Sequence, residues 1–275
     1  MADQGDPLAR IADALDRLAP PPPAQADWRA FPAYVWDGRA ARGVARIDAP
    51  ALEQLRGIDQ QKARVAENVR RLANGVAAHD MLLWGARGMG KSALVRSAVL
   101  AAQADMPGTL ALVQAGAGAF DALPALFARL GEVDRRFLVF IDDLGFADDD
   151  TTGPRQLRSW LEGGVEARPA NIRLAVTANR RAIVARHMAE QDDPINPRDV
   201  TDDKLALADR FGIALGFHVA SQDVFLEIVA TYAAALGLDF EESEAIEWAA
   251  QRGARSGRSA WQFVTELAGR AGASA

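Results

Sequence analysis

The 275-residue sequence contains no cysteine, which excludes disulfides, thiolate metal sites, iron–sulfur clusters and cysteine nucleophiles. It is nearly as poor in lysine: Lys62, Lys91 and Lys204 are the only three, and arginine carries the rest of the positive charge. His79, His187 and His218 are the only histidines and show no metal-ligand spacing. No apolar run reaches the roughly 18 residues that span a bilayer, and the longest uncharged stretch, between Asp105 and Asp121, is glycine-rich. The beginning of the chain carries Asp3, Asp6 and Arg10 without an apolar core, unlike a signal peptide, so a cytoplasmic protein with no membrane partner is expected. A formal charge of -6 gives no overall positive field to draw the chain to nucleic acid, although Arg39, Arg42 and Arg46 form a small basic stretch. What remains, 49% hydrophobic and 25% charged, is an ordinary globular balance for one large domain or two smaller ones.

The chain divides by pattern into four parts. In residues 1–19, Leu8, Ile11, Leu15 and Leu18 recur at helical steps and predict a short amphipathic helix, which ends at the stiff Pro20–Pro23 spacer. The rest of residues 20–50 reads as an irregular linker whose Trp28, Phe31, Tyr34 and Trp36 clamp it onto a core. Residues 51–219 alternate continuous apolar strands with helices: helix Leu52–Ala73, strand Met81–Trp84, helix Lys91–Ala104, strand Leu110–Val113 and helix Phe120–Leu130. Strand Phe137–Ile141, a helix near Arg155–Leu161, strand Ile172–Val176, helix Ala182–Ala189 and strand Ile213–Val219 follow. That order predicts an α/β fold with a parallel sheet covered on both faces. Residues 220–275 show only helical patterns, near Asp223–Leu236, Glu242–Arg252 and Ser259–Ala268, and predict a small all-helical second domain. Trp160, Trp248 and Trp261 lie on helical faces and read as core.

Gly85-Ala86-Arg87-Gly88-Met89-Gly90-Lys91-Ser92 matches G-x-x-x-x-G-K-[ST] at every fixed position. A loop that wraps phosphates must turn tightly and aim successive N–H groups inward, which favours residues without a Cβ. Lys91 then sets a cation on the terminal phosphates, the Ser92 hydroxyl binds Mg²⁺, and the first turn of the helix Lys91–Ala104, through Ala93, adds its positive dipole end. The strand before and helix after the loop are the context that this chemistry needs, so the segment reads as a nucleotide site. About 50 residues on, the apolar strand Phe137–Ile141 ends in Asp142 and Asp143. Asp142 is placed to hold Mg²⁺ through its water shell, and Asp143 to polarise an attacking water. Asp148–Asp150 reads as a solvated acidic loop.

These features, in this order, resemble those of the AAA+ ATPases from about Leu52 to Gly269. Gly57-Ile58-Asp59 with Gln61 and Lys62 looks like the segment that lies against adenine. Thr177-Ala178-Asn179 matches the family's first sensor position, which implies that Asn179 contacts the γ-phosphate or the water. Asp209-Arg210-Phe211-Gly212 looks like the box that presents an arginine finger, and so implies that Arg210 acts in trans on a neighbouring subunit. Arg258, at the head of the last predicted helix, matches the second sensor, with Arg252 and Arg255 as competitors. Arg180 and Arg181 beside Asn179 are open to phosphate contact, subunit contact or a surface salt bridge. Leu161–Pro169, Thr177–Arg181 and Lys204–Gly212 resemble a bacterial ATP-binding family known as domain of unknown function 815. One departure is Asp143, where AAA+ ATPases typically carry glutamate; a side chain one methylene shorter implies slower hydrolysis.

Three functions fit. The first is an ATP-hydrolysing oligomer, assembled with nucleotide, that remodels or regulates a protein or nucleic-acid client. The second is a slowly cycling nucleotide-gated binding module. The third is a P-loop small-molecule kinase, which would need neither Arg210 nor the helical C-terminal domain.

Overall fold

The computed structural model describes residues 6, 8, 10–11, 26–145, 157, 160–161, 168–179 and 210–272. Seven strands form one sheet: β1 (Ala33–Trp36), β2 (Ala41–Val44), β3 (Met81–Gly85), β4 (Leu110–Ala115), β5 (Arg136–Ile141), β6 (Ile172–Asn179) and β7 (Ile213–Phe217). Their spatial order is β2-β1-β4-β5-β6-β3-β7, and every neighbouring pair is parallel except β1–β2. The central strands are buried on both faces, which is why they read as unbroken apolar runs rather than alternating ones. Alternate residues supply two cores. Met81, Leu83, Leu138 and Phe140 face one side, and Leu82, Val139 and Val176 the other.

Six α-helices of nine residues or more are described: α1 (Asp59–Ala73), α2 (Lys91–Asp105), α3 (Leu123–Gly131), α4 (Gln222–Ala235), α5 (Glu242–Gln251) and α6 (Gly257–Arg270). In α1, Val65, Val69 and Leu72 face the first core, while Glu67 on the solvent side pairs with Arg70 and Arg71. The second core is covered by α3, through Leu123, Leu126 and Leu130. Helices α4 to α6 pack on one another, and Phe225, Ile228, Phe263 and Val264 join the first core rather than forming a separate one. Ser221 caps α4, and Ser256 caps α6 in a reciprocal pair with Ser259.

Two predicted helices begin later than their patterns suggest. Leu52–Gln54 is a separate 3-10 turn, and Lys62 holds the break open by donating to the Leu55 carbonyl at 2.9 Å while pairing with Asp59. A second 3-10 turn, Ala117–Ala122, precedes α3, whose first turn contains Pro124. Residues 157, 160 and 161 are helical, as expected of the helix near Arg155–Leu161. Pro20–Pro23, Asp148–Asp150, Arg180, Arg181, the helix Ala182–Ala189 and the Lys204–Asp209 string lie outside the described residues. Of the predicted N-terminal helix only Leu8, Arg10 and Ile11 are described, all helical, with Leu8 and Ile11 exposed. No helix among the described residues is long and apolar enough to cross a membrane.

The region 27–50, read as irregular, instead supplies β1 and β2. β1, Ala-Tyr-Val-Trp, is apolar but only four residues long, and β2 is Ala-Arg-Gly-Val on an antiparallel edge, where pairing rather than burial makes the strand. Trp28, Tyr34 and Trp36 are buried, and Arg135 fastens the segment from below. Its guanidinium donates to the Trp28 and Phe31 carbonyls at 2.8 Å each and to Leu110 at 3.2 Å. Replacing Arg135 with methionine leaves those acceptors without a donor and is expected to cost about 2–4 kcal/mol in chemical denaturation. A loss near zero would mean that other groups or water satisfy the three carbonyls.

Candidate nucleotide-binding site

The carboxyl ends of β3, β5 and β6 open onto a cavity of about 880 Å³, where parallel α/β sheets generally hold ligands. Gly85 ends β3 at φ +125°, and a Cβ there would stand 2.1 Å from the Phe217 carbonyl oxygen. Only glycine lets the chain leave the strand so close to β7, where the Ala86 N–H donates to that same oxygen at 2.8 Å. The loop then turns back at Gly88, whose carbonyl accepts from the Arg258 N–H at 3.2 Å and whose absent Cβ would meet Ser256 Oγ at 2.8 Å. Arg87 to Ala93 all line the cavity. Gly85 and Ala86 serve it indirectly, since their carbonyls accept from Lys91 Nζ at 2.9 and 2.8 Å.

Lys91 is 8% exposed. Burial pulls its ammonium below the ordinary lysine range, and the Asp143 and Asp142 carboxylates oppose that shift. One turn into the site, Asp142 Oδ1 accepts from Ser92 Oγ at 2.6 Å and from Thr177 Oγ1 at 2.6 Å. The Thr177 hydroxyl oxygen in turn accepts the Asp143 N–H at 2.8 Å. Asp143 sits at φ +52°, the left-handed region that residues with a Cβ rarely enter. Its carboxylate accepts from the Asn179 amide, and Asn179 Oδ1 lies 3.5 Å from Lys91 Nζ. Five predicted site residues, Lys91, Ser92, Asp142, Asp143 and Asn179, thus meet in one network. Thr177, the first residue of the Thr177-Ala178-Asn179 motif, ties Asp142 to the Asp143 backbone, a role that the motif does not assign to it. A hydroxyl inside an apolar strand, level with the end of β5 one strand over, was the signal for it.

Ser92 and Asp142 offer hard oxygen donors that share one hydrogen bond, the donor type that suits Mg²⁺. Among the described residues no separate cluster of histidines and carboxylates could hold a metal ion.

Away from the phosphate loop, the cavity wall is built by Gln54, Leu55, Tyr232, Leu236 and Trp261, so both the segment before α1 and the C-terminal helices contribute. Trp261 is 43% exposed and stands edge-on to Tyr232 at 5.4 Å; it belongs to this wall and not to the core expected of it. Trp248 and Trp160 do pack as expected, against Phe263 and Phe120. Of the competing arginines, Arg258 lines the cavity, Arg252 lies over the Trp248 ring, and the Arg255 carbonyl accepts from Ala220. Gly57, Ile58, Gln61 and Lys62 do not line it; Gln61 donates to the Gly216 carbonyl instead.

Arg210 stands elsewhere. It precedes β7, whose first residue Ile213 pairs with Met81 at the start of β3. That puts Arg210 about 15 Å, one strand length, from the loop that follows the other end of β3. Gly212 lies against His79 there, and Arg168 forms an ion pair with Asp80.

A family model described as "Protein of unknown function (DUF815)" matches residues 29–271. No curated protein matches the chain in sequence. In three dimensions it is similar to Orc1 of Aeropyrum pernix, solved in complex with DNA (TM-score 0.56, 15% identity, 79% of this chain and 61% of that one). It is also similar to the RuvB Holliday junction branch migration motor of Thermotoga maritima (TM-score 0.51, 17% identity, 81% and 66%). Domain III of the Thermotoga maritima replication initiation protein DnaA is a third (TM-score 0.52, 12% identity, 81% and 90%). The chain thus spans about two thirds of the RuvB chain, and at these identities the likeness is one of fold. The chain belongs to the family of the DUF815 model and is built on the AAA+ fold of ATPases.

Proposed function

We propose that the protein binds ATP with Mg²⁺ and hydrolyses it within a homo-oligomer that assembles with nucleotide and acts on a protein or nucleic-acid client. The observation that carries this reading is the hydrogen-bonded network from Lys91 and Ser92 through Asp142 and Thr177 to Asp143 and Asn179, on one wall of a nucleotide-sized cavity. In it Ser92 and Asp142 would hold Mg²⁺, which supplies positive charge to the phosphate oxygens when bound. Lys91 binds the terminal phosphates, and the Gly88–Gly90 backbone wraps them. Asp143 accepts the proton of the attacking water, and Asn179 orients both groups. Arg210 of a neighbouring subunit neutralises charge that develops at the γ-phosphate, consistent with its distance from the cavity of its own chain. The C-terminal helices from residue 220 form a lid over the domain of residues 51–219. Arg258, bonded through its backbone to Gly88, senses nucleotide for that lid.

Phosphate release from ATP, measured for the full chain and for Lys91→Ala, tests the reading. Wild-type turnover together with at least a tenfold loss of ATP binding in the variant is expected. Equal ATP affinity in both proteins would contradict it.

The second reading, a slowly cycling nucleotide-gated adaptor, draws on one observation: the carboxylate of Asp143, already shorter than the usual glutamate, is engaged by Asn179. A wild-type protein that binds ATP and releases almost no phosphate would favour it.

A further inference from the structure

Three arginines line the cavity outside the network above, Arg87, Arg96 and Arg258, and of these only Arg96 has a buried nitrogen without a partner. Arg96 lies on α2 four residues after Ser92, one turn on and on the same helix face. Long side chains on a helix lean toward its N-terminus, which favours the Ser92 side of the cavity for the Arg96 guanidinium. Arg96 lines the cavity, yet it makes no hydrogen bond or ion pair among the described residues, and its Nε is shut off from solvent with no partner. Arg135 and Arg168 also keep a buried nitrogen without a partner, but their other nitrogens are anchored, Arg135 on three carbonyls and Arg168 on Asp80, whereas Arg96 has no such anchor among the described residues. An N–H buried beside a polar cavity without an acceptor is costly unless a ligand provides one.

We propose that Arg96 is a nucleotide-binding residue that donates to an oxygen of the terminal phosphate, a contact outside the phosphate loop. The proposal rests on the nucleotide reading above and adds a residue that distinguishes a triphosphate from a diphosphate. A guanidinium suits this, because it stays charged and presents its donors as a planar fork to phosphate oxygens.

The experiment compares full-length wild type, Arg96→Met and Arg96→Lys in calorimetric binding of a slowly hydrolysed ATP analogue and of ADP, both with Mg²⁺, and in thermal melting without ligand. Arg96→Met is expected to bind the ATP analogue at least tenfold more weakly and ADP within about threefold of wild type. Arg96→Lys should recover part of the difference. Without ligand, Arg96→Met should melt no lower than wild type, because the change removes an unpaired buried donor rather than a structural bond. Unchanged affinity for both nucleotides, equal weakening of both, or a melting loss in both variants that accounts for the weakening would each overturn the assignment. If wild type binds neither nucleotide, the nucleotide reading falls and takes this assignment with it. If wild type binds both, the Arg96 result stands or falls alone.

Discussion

Asp143→Asn is expected to keep ATP bound within a few-fold of wild type while steady-state phosphate release falls by about 10²–10⁴-fold, the usual range for loss of a general base. The amide preserves size, so the left-handed backbone at Asp143 and its N–H bond to Thr177 have no reason to change. What disappears is the carboxylate that both receives Asn179 and accepts a proton. This substitution separates chemistry from binding, whereas Ser92→Ala or Asp142→Asn would disturb both, because those side chains share one hydrogen bond at the proposed metal position. Steady-state release should be read alongside nucleotide affinity for the same preparation. Turnover equal to wild type would remove Asp143 from the mechanism and leave a solvent or backbone group as proton acceptor.

The second large effect concerns assembly. Arg210→Ala is expected to lower turnover by about 10³–10⁵-fold, the range for an arginine supplied to a phosphoryl-transfer site in trans, with little change in ATP affinity. Arg210 leads into the start of β7, while the phosphate loop leaves the far end of β3, so one chain does not bring the two together. A mixture makes the test specific. Arg210→Ala and Asp143→Asn chains, each inactive alone, should together regain part of the activity, since a mixed interface can join an intact Asp143 site to an intact Arg210. Specific activity of wild type should also fall on dilution through the assembly range. A mixture as inactive as its parts, with dilution-independent wild-type rates, would place the role of Arg210 within its own chain's folding.

Much of the site was legible because its chemistry is local. The loop from Gly85 to Ser92 is contiguous, and its requirements, no Cβ at the turns and a cation before a helix, are written into adjacent residues. The Phe137–Ile141 run announced a buried strand, and two aspartates at its end announced where that strand meets the ligand. Residues whose roles depend on distant partners were read less well. Thr177 stood in the Thr177-Ala178-Asn179 motif with no role of its own until β6 placed its hydroxyl against Asp142. Trp261 looked like core, because helical spacing reveals a face but not what that face meets. Lys62 resembled part of a nucleotide-contacting segment and proved to be a clamp on Leu55 and Asp59.

The edge of the sheet shows the same division. An apolar run predicts a central strand, since only burial on both faces demands one. β2, by contrast, is half-exposed and polar, and becomes a strand because β1 offers it a ladder; β1 itself is held by pairing with β4 and by Arg135 beneath.

By itself the sequence determined the phosphate loop, the carboxylate strand, the alternating α/β order and the absence of cysteine chemistry, all of which depend on residue type and short-range spacing. The tertiary structure alone decided which arginine reaches the cavity and which is used elsewhere. Arg258 and Arg96 line it, Arg252 covers a tryptophan, and Arg210 stands a strand length away. A guanidinium looks the same at every position in a sequence, and only the packing of β3, α2 and α6 around one cavity sets what each can touch.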